Sequence, residues 1–168
     1  MTIDIRQQGD LAASLRDVMA DVCTPVAIVT SCVGHTPFGS TVSAFCSLSM
    51  EPPMVMVALN RESDTLRALE VSGRFGINVL GSKNADLAMQ FARKGPDKFD
   101  DVRWTPSHGV PRIDTSPGWI ACDVAGLADG GDHLIVSGNV VGADLQQSEP
   151  LTYHQRRFGT HVPFRVEQ

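Results

Sequence analysis

The segment between two apolar, strand-like runs of this chain is Thr41-Val42-Ser43-Ala44-Phe45-Cys46-Ser47-Leu48-Ser49-Met50-Glu51-Pro52-Pro53. It carries five hydroxyl or thiol side chains and no basic residue. An unpaired buried hydroxyl costs roughly 1–3 kcal/mol, so a sheet that buries this many small polar groups is expected to satisfy them with a ligand. Small hydroxyl side chains and free backbone N–H groups at a strand end suit a phosphate or a flat polar ring. We call residues 41–53 the polar segment.

The composition predicts one soluble domain that spans residues 1–168. Hydrophobic residues make up 42% and charged residues 20% of the 168 residues, enough for a core of its own. The net charge of −5 argues against binding nucleic acid through its phosphates. No run reaches the roughly 18 apolar residues of a membrane span, and the N-terminus lacks the apolar stretch of a signal peptide. A cytoplasmic protein is expected.

The cysteines and histidines do not have the spacing of a metal site. No CxxC, HxxxH or HExxH pattern is present, so a zinc site is not expected. The thiols are expected to be reduced and mostly buried, packing as small apolar groups. They are Cys23, Cys32, Cys46 and Cys122.

Short strands at hairpin-sized spacing dominate the predicted secondary structure. Strands are expected at Val26–Thr30, Phe38–Phe45, Met54–Leu59, Arg74–Leu80, Trp119–Leu127 and His133–Asp144. Helices are expected at Asp10–Val22, from Ser63 or Asp64 to Gly73, and from Asn84 onward. Met54–Leu59 is predicted to be buried on both faces, and residues 95–117 are predicted to be irregular. The pattern indicates a mainly β fold with flanking helices, an antiparallel barrel rather than a doubly wound sheet.

Common nucleotide-binding and nucleophile motifs are absent. There is no GxGxxG and no GxSxG. Residues 76–83 approach a P-loop, but Ser82 and Lys83 stand in the wrong order for one. The familiar ways of binding a nucleotide are therefore excluded, and less common ones remain.

Two groups of residues near the middle of the chain can bind an anionic ligand. Thr41, Ser43, Ser47 and Ser49 alternate, so an extended chain presents them on one face. A solvated edge strand explains this alternation equally well. Three cations, Arg93, Lys94 and Lys98, follow a predicted helix. One or two of them neutralise a phosphate if the fold brings them to the polar segment; otherwise Arg93 and Lys94 complement the helix dipole.

A third group is Gly130-Gly131-Asp132-His133, directly before an apolar run. The glycine pair brings a titratable imidazole to the start of a strand, where Asp132 can orient it. The alternative is a hairpin turn with a surface histidine.

As an ordered set, these motifs resemble the flavin reductase family, the short reductase components of two-component flavin-dependent monooxygenases. The resemblance covers about residues 22–159, and residues 87–94 resemble in particular the FMN reductases that serve aromatic polyketide oxygenation. The matching stretches are 41–45, 47–49, 51–53, 73–80, 91–92, 98–99, 131–133 and 150–153.

The resemblance implies a fold and an activity. The fold is an FMN-binding split β-barrel, normally a homodimer. The activity is that of an NAD(P)H:flavin oxidoreductase, which passes a hydride from NADH or NADPH to FMN or FAD and supplies reduced flavin to a separate monooxygenase.

The resemblance also implies roles for thirteen residues. Thr41, Val42, Ser43, Ser47, Leu48 and Ser49 would line the flavin, and Phe91, Ala92, Arg93 and Lys98 would approach its phosphate. His133 would lie near the nicotinamide, and Tyr153 and Arg156 are further contacts for the dinucleotide.

Two rival functions use the same kind of barrel. One is a flavin-binding electron carrier or storage module without a nicotinamide site. The other is an oxidase of a pyridoxamine-type phosphate, which the absence of basic residues in the polar segment makes less favourable. Hydride transfer needs neither a nucleophile nor a metal, because the cofactor carries the chemistry; the absence of those motifs therefore agrees with a reductase.

Overall fold

The computed structural model describes residues 5–164, and within this range it contains three α-helices and twelve β-strands. The helices are α1 (Ile5–Ala20), α2 (Asp64–Ser72) and α3 (Ala85–Ala92). The strands are β1 (Thr24–Pro25), β2 (Ala27–Val33), β3 (Thr36–Val42), β4 (Phe45–Met50), β5 (Pro53–Asn60), β6 (Arg74–Val79), β7 (Trp104–Ser107), β8 (Val110–Ile113), β9 (Gly118–Gly130), β10 (His133–Leu145), β11 (Thr152–His154) and β12 (Arg157–Gly159). No helix of the described chain is long and apolar enough to cross a bilayer.

Seven strands form one antiparallel sheet in the order β3-β2-β6-β9-β10-β5-β4. Its two edge strands are consecutive in the chain, because only Ser43 and Ala44 separate β3 from β4. Three chain steps span about 11 Å at most, whereas the edges of a flat seven-stranded sheet lie about 29 Å apart. The sheet must therefore curl until its edges approach each other. The predicted mainly β, antiparallel architecture with flanking helices is confirmed.

The main core lies on one face of this sheet. Val29, Val57, Phe75 and Ile77 are completely buried there, together with Leu69 of α2. Helix α2 packs against β2, β3 and β6, and Gly73 ends it in the left-handed conformation that favours glycine.

Strand β5 differs from its prediction. Val55, Val57 and Leu59 are buried, but the alternate residues Met54 and Met56 are only half-buried. The prediction of burial on both faces is wrong, because the helices and the β7–β8 hairpin pack mainly against β2, β3 and β6 rather than against β5.

The hairpin β7–β8 lies in the region predicted to be irregular. Pro106 pairs with Pro111 within it, and since proline cannot donate to a strand ladder, the sequence signal for these strands is weak. The buried Asn78 side chain fastens the hairpin to the sheet. Its Oδ1 accepts from the Ile113 N–H at 2.8 Å, and its Nδ2 donates to the Thr30 Oγ1 at 3.2 Å and the Pro111 carbonyl at 3.4 Å.

Several predicted boundaries move. The strand predicted at Phe38–Phe45 ends at Val42, where the chain leaves β3 and starts β4. The helix predicted at Asp10–Val22 is α1, which already includes Ile5 and ends at Ala20. The expectation of mostly buried cysteines is wrong, since Cys23 and Cys46 are exposed and only Cys122 is buried.

We expect Asn78→Leu to lower the free energy of unfolding by about 1–3 kcal/mol, because it leaves the buried Ile113 N–H without a partner. Urea unfolding followed by tryptophan fluorescence measures the change. Asn139→Leu, at an exposed position of β10, is the matched control and should stay within about 0.5 kcal/mol of the wild type. Equal effects of the two substitutions would contradict the role of the Asn78 side chain in fastening the β7–β8 hairpin to the sheet.

Candidate functional site

A cleft of about 680 Å³ opens where the two edges of the sheet approach each other. Its walls are the end of β3, the end of β5, the first turn of α2, the segment after α3 and the start of β10. Eight of the thirteen residues predicted for the site line it: Thr41, Val42, Ser43, Phe91, Ala92, Arg93, Lys98 and His133. Three groups that are far apart in sequence thus meet in one cavity.

The break between β3 and β4 forms one wall of the cleft. Thr41 lines it, but its hydroxyl donates to the Ala88 carbonyl of α3 at 2.7 Å, so this group fastens the helix rather than facing a ligand freely. The Ala44 carbonyl accepts from the Ala58 N–H at 2.9 Å. The Ser43 hydroxyl makes no hydrogen bond to other described residues and is available to a ligand.

Lys98, one of the cations after α3, is held against the β3 wall. Lys98 Nζ donates to the Gly39 carbonyl at 3.0 Å, and Gln90 Nε2 donates to the Lys98 and Asp100 carbonyls at 3.0 Å each. Gly39 also lets the Phe91 ring of α3 lie directly against β3, because a Cβ at residue 39 would stand 2.5 Å from that ring. The fold therefore brings the cations to the start of the polar segment, the condition on which the phosphate interpretation depended.

The electrostatics around Lys98 favour the binding of an anion. Burial lowers the pKa of the Lys98 ammonium, and the nearby Asp64 carboxylate offsets part of that effect. Within residues 5–164, neither Arg93 nor Lys98 has a carboxylate within 4.0 Å, whereas Lys94 pairs with Glu62 across the mouth of the cleft at 4.0 Å. A desolvated ammonium without an ion pair gains more from a phosphate than a surface lysine does.

His133, the first residue of β10, brings an imidazole to the cleft from the β9–β10 hairpin. The turn is tighter than predicted, because β9 continues through Gly130 and only Gly131 and Asp132 connect the strands. The Asp132 carboxylate accepts a hydrogen bond from His133 Nδ1 at 2.8 Å, and this bond lowers the pKa of the Asp132 carboxyl. Nε2 is thereby the ring nitrogen left for a ligand.

Three predicted residues of β4 do not line the cleft. A β-bulge falls between Ser47, which pairs with Val55, and Ser49, which pairs with Met54. The bulge interrupts the alternation from which a common polar face was predicted. Leu48 is 50% exposed, and the Ser49 hydroxyl accepts from the Glu51 N–H at 3.2 Å.

Tyr153 and Arg156 lie outside the cleft, Tyr153 beside β1 and Arg156 against α1. Tyr153 pairs with Thr24 across β1 and β11, and its ring packs on Phe158 with 5.2 Å between centroids. Arg156 forms an ion pair with Asp17 at 3.3 Å. Neither residue lines the cleft.

The connection from β5 to α2 supplies cleft residues that the sequence analysis missed. Ser40 Oγ lies 2.9 Å from Thr65 Oγ1 and 3.3 Å from Ser63 Oγ, which ties β3 to the first turn of α2. A polar run directly after an apolar strand was the available signal. The missed lining residues are Ser40, Ala58, Leu59, Asn60, Glu62, Ser63, Asp64, Arg67 and Gly95.

The lining of the cleft therefore combines cations, a wall of small residues and an imidazole. Its volume is in the range of small-molecule sites. Among the described residues, no three His, Cys, Asp or Glu side chains are grouped to hold a metal ion. Such a cavity suits a flat ligand that carries a phosphate at one end.

Comparison with known proteins identifies the family. The family model described as the flavin reductase like domain matches residues 19–161. The reductase component of the 4-nitrophenol 4-monooxygenase/4-nitrocatechol 2-monooxygenase of Rhodococcus opacus is 39% identical over 153 residues, which cover 91% of this chain and 83% of the relative. A flavin reductase (NADH) of Kitasatospora aureofaciens is 38% identical over 161 residues, covering 89% and 84%.

A solved structure supports the same assignment. The crystal structure of nitrilotriacetate monooxygenase component B from Mycobacterium thermoresistibile matches with a TM-score of 0.89 and 32% identity. The match covers 96% of this chain and 92% of that one. The fold, the cleft and these similarities agree, and the chain belongs to the flavin reductase like domain family.

Proposed function

We propose that this protein is an NAD(P)H-dependent flavin reductase that supplies reduced FMN or FAD to a separate monooxygenase. The observation that carries the proposal is the meeting of the β3 wall, the Arg93 and Lys98 cations and the Asp132-His133 turn in one cleft, in a chain of the flavin reductase family. A bound flavin supplies the hydride-accepting chemistry.

Each group of lining residues has its own role in this proposal. Lys98 and Arg93 hold the flavin phosphate by charge-assisted hydrogen bonds. Ser43, Ala44 and Ala92 are small, so they leave room for two flat rings to approach each other. His133 binds the nicotinamide substrate, with Asp132 fixing its tautomer.

Finer features belong to the same proposal. In this proposal the curled sheet is a split barrel and residues 1–168 form one domain. The protein is located in the cytoplasm, where its thiols stay reduced. The flavin contacts of Ser47, Leu48 and Ser49 and the dinucleotide contacts of Tyr153 and Arg156 stay predictions, and these five residues lie outside the lining of the cleft.

The activity is tested by mixing the purified protein with each of the four pairings of NADH or NADPH with FMN or FAD. We expect loss of nicotinamide absorbance that depends on added flavin, because the proposed site binds both reactants. A yellow protein that retains its flavin through dialysis and is inert to both nicotinamides would instead support the electron-carrier alternative. Absence of turnover in all four pairings would overturn the proposal.

We expect Lys98→Met to raise the Kd for FMN by roughly 10- to 100-fold, the equivalent of one charge-assisted hydrogen bond, with little change in the Kd for riboflavin. Because burial lowers the pKa of Lys98, FMN affinity should weaken as the pH rises through that lowered value and the ammonium loses its charge. Flavin fluorescence titrations measure both effects. Lys83→Met, on an exposed lysine that does not line the cleft, is the matched control; equal losses of FMN and riboflavin affinity in Lys98→Met would contradict the phosphate role.

We also propose that two copies of the chain associate through α1. An amphipathic helix normally turns its apolar stripe to a core, yet the stripe of α1 and the residues after it is uncovered. Its members are Leu11 (70% exposed), Leu15 (59%), Val18 (64%), Met19 (51%) and Val22 (43%).

Polar contacts hold only the end of α1 to the rest of the chain. Gln155 donates its N–H to the Ala20 carbonyl at 2.7 Å, and Asp17 and Asp21 contact Arg156 and His154 at 3.3 and 3.5 Å. These contacts lie on a different side of the helix from the apolar stripe. A second copy is the proposed cover, because an isologous contact buries both stripes at once.

We expect the wild type to be a dimer and Leu15→Glu to raise the dimer Kd by about 30-fold or more, as loss of a central apolar contact does. Light scattering coupled to size-exclusion chromatography at several concentrations measures it. Ala13→Glu, on the opposite side of α1, is the matched control and should leave the Kd unchanged. A monomeric wild type would overturn the proposed interface.

A further inference from the structure

Arg61 lies directly after β5, beside the turn that carries His133. The last residue of β5, Asn60, pairs with His133 in the antiparallel ladder between β5 and β10. Arg61 therefore faces the two turn residues, Gly131 and Asp132, from the neighbouring strand. Its own side chain does not line the cleft formed by the described residues.

Three contacts tie Arg61 to this hairpin. Its backbone N–H donates to the Asp132 carbonyl at 3.0 Å, and its Nε donates to the Gly131 carbonyl at 2.8 Å. Its terminal nitrogen forms an ion pair with the Asp129 carboxylate. One guanidinium thus holds both sides of the turn, which a planar fork of donors can do and a single ammonium cannot.

The turn needs such support. Gly131 has a φ of +74°, the left-handed region, and its flexibility lets the turn adopt other conformations. Asp132 is 85% and Asp129 is 87% exposed at their side chains, so packing does not fix either one. Within residues 5–164, the hydrogen bonds and the ion pair that hold the turn from outside the hairpin come from Arg61.

We propose that Arg61 is a positioning residue for His133: it fixes the Gly131-Asp132 turn so that the imidazole lines the cleft. This inference rests on the proposed function, in which His133 binds the nicotinamide substrate. Arg61 acts through the turn and touches neither flavin nor nicotinamide. Its removal therefore affects the same step as removal of His133, and no other step.

A double-mutant cycle tests this coupling. His133→Ala and Arg61→Ala should each raise the KM for the nicotinamide on the order of 10-fold, because the first removes the imidazole and the second displaces it. The Kd for FMN should stay unchanged in both variants. In the His133→Ala background, Arg61→Ala should add less than about a 2-fold effect, the range of additivity error. A full additional 10-fold increase in the double variant would show that Arg61 contacts the substrate itself, and would overturn the proposal.

Further variants separate positioning from general stability. Arg61→Lys keeps a charge near Asp129, but a single ammonium should not also hold the Gly131 carbonyl. Compared with Arg61→Ala, we therefore expect Arg61→Lys to regain any thermal stability lost with the ion pair while its KM stays raised. Arg74→Ala removes an exposed ion pair with Asp123 in the same sheet, and it should change neither KM nor Kd. If Arg61→Lys restored the wild-type KM, the two-sided role of the guanidinium would be refuted.

One measurement does not depend on enzymatic turnover. The imidazole NMR signals of His133, assigned by their loss in His133→Ala, should shift or broaden in Arg61→Ala and stay in place in Arg74→Ala. Unmoved signals in Arg61→Ala would overturn the positioning role even in a fully active enzyme. Shifted signals in a protein without NAD(P)H:flavin turnover would refute the proposed function and leave the positioning role intact.

Discussion

The two-residue link between the edge strands of the sheet is the constraint on which the rest of the structure depends. Ser43 and Ala44 are too few to connect the edges of a flat seven-stranded sheet, so the sheet has to curl and bring β3 back towards β5. We call the line along which the two edges approach each other the seam. A regular ladder of hydrogen bonds cannot fill the seam, because the chain leaves β3 there. A cleft with accessible backbone and small side chains lies where the two edges approach each other.

The contents of the cleft follow from which elements meet at the seam. Helix α3 is fastened to β3 by Thr41 and by the Phe91 ring above Gly39, and this brings the cations after α3 into the lining of the cleft. The β9–β10 hairpin is the longest in the sheet, and the residue that follows its turn, His133, lines the same cleft. A ligand that enters therefore meets both positive charge and an imidazole.

Much of this could be predicted from sequence where the signal was local. Val26–Thr30 and Arg74–Leu80 are rich in β-branched or apolar residues and formed strands, and Gly73 and Asn84 marked helix ends correctly. What failed depended on tertiary context: the bulge after Ser47, the proline-masked β7–β8 hairpin, and the half-buried outer side of β5. The position of the seam and the choice of strands against which the helices pack both depend on residues that are far apart in sequence, so no single segment predicts them.

The bulge in β4 also affects how molecules of this protein meet in concentrated solution. Among the described residues, β4 is an edge strand of the large sheet, and it exposes Leu48 and Met50. In a flat strand, this combination favours the addition of another strand that extends the sheet. Because the ladder is out of register between Ser47 and Ser49, a regular incoming strand cannot pair along its whole length. The irregularity that removed β4 residues from the cleft thus protects the sheet from growing into an aggregate.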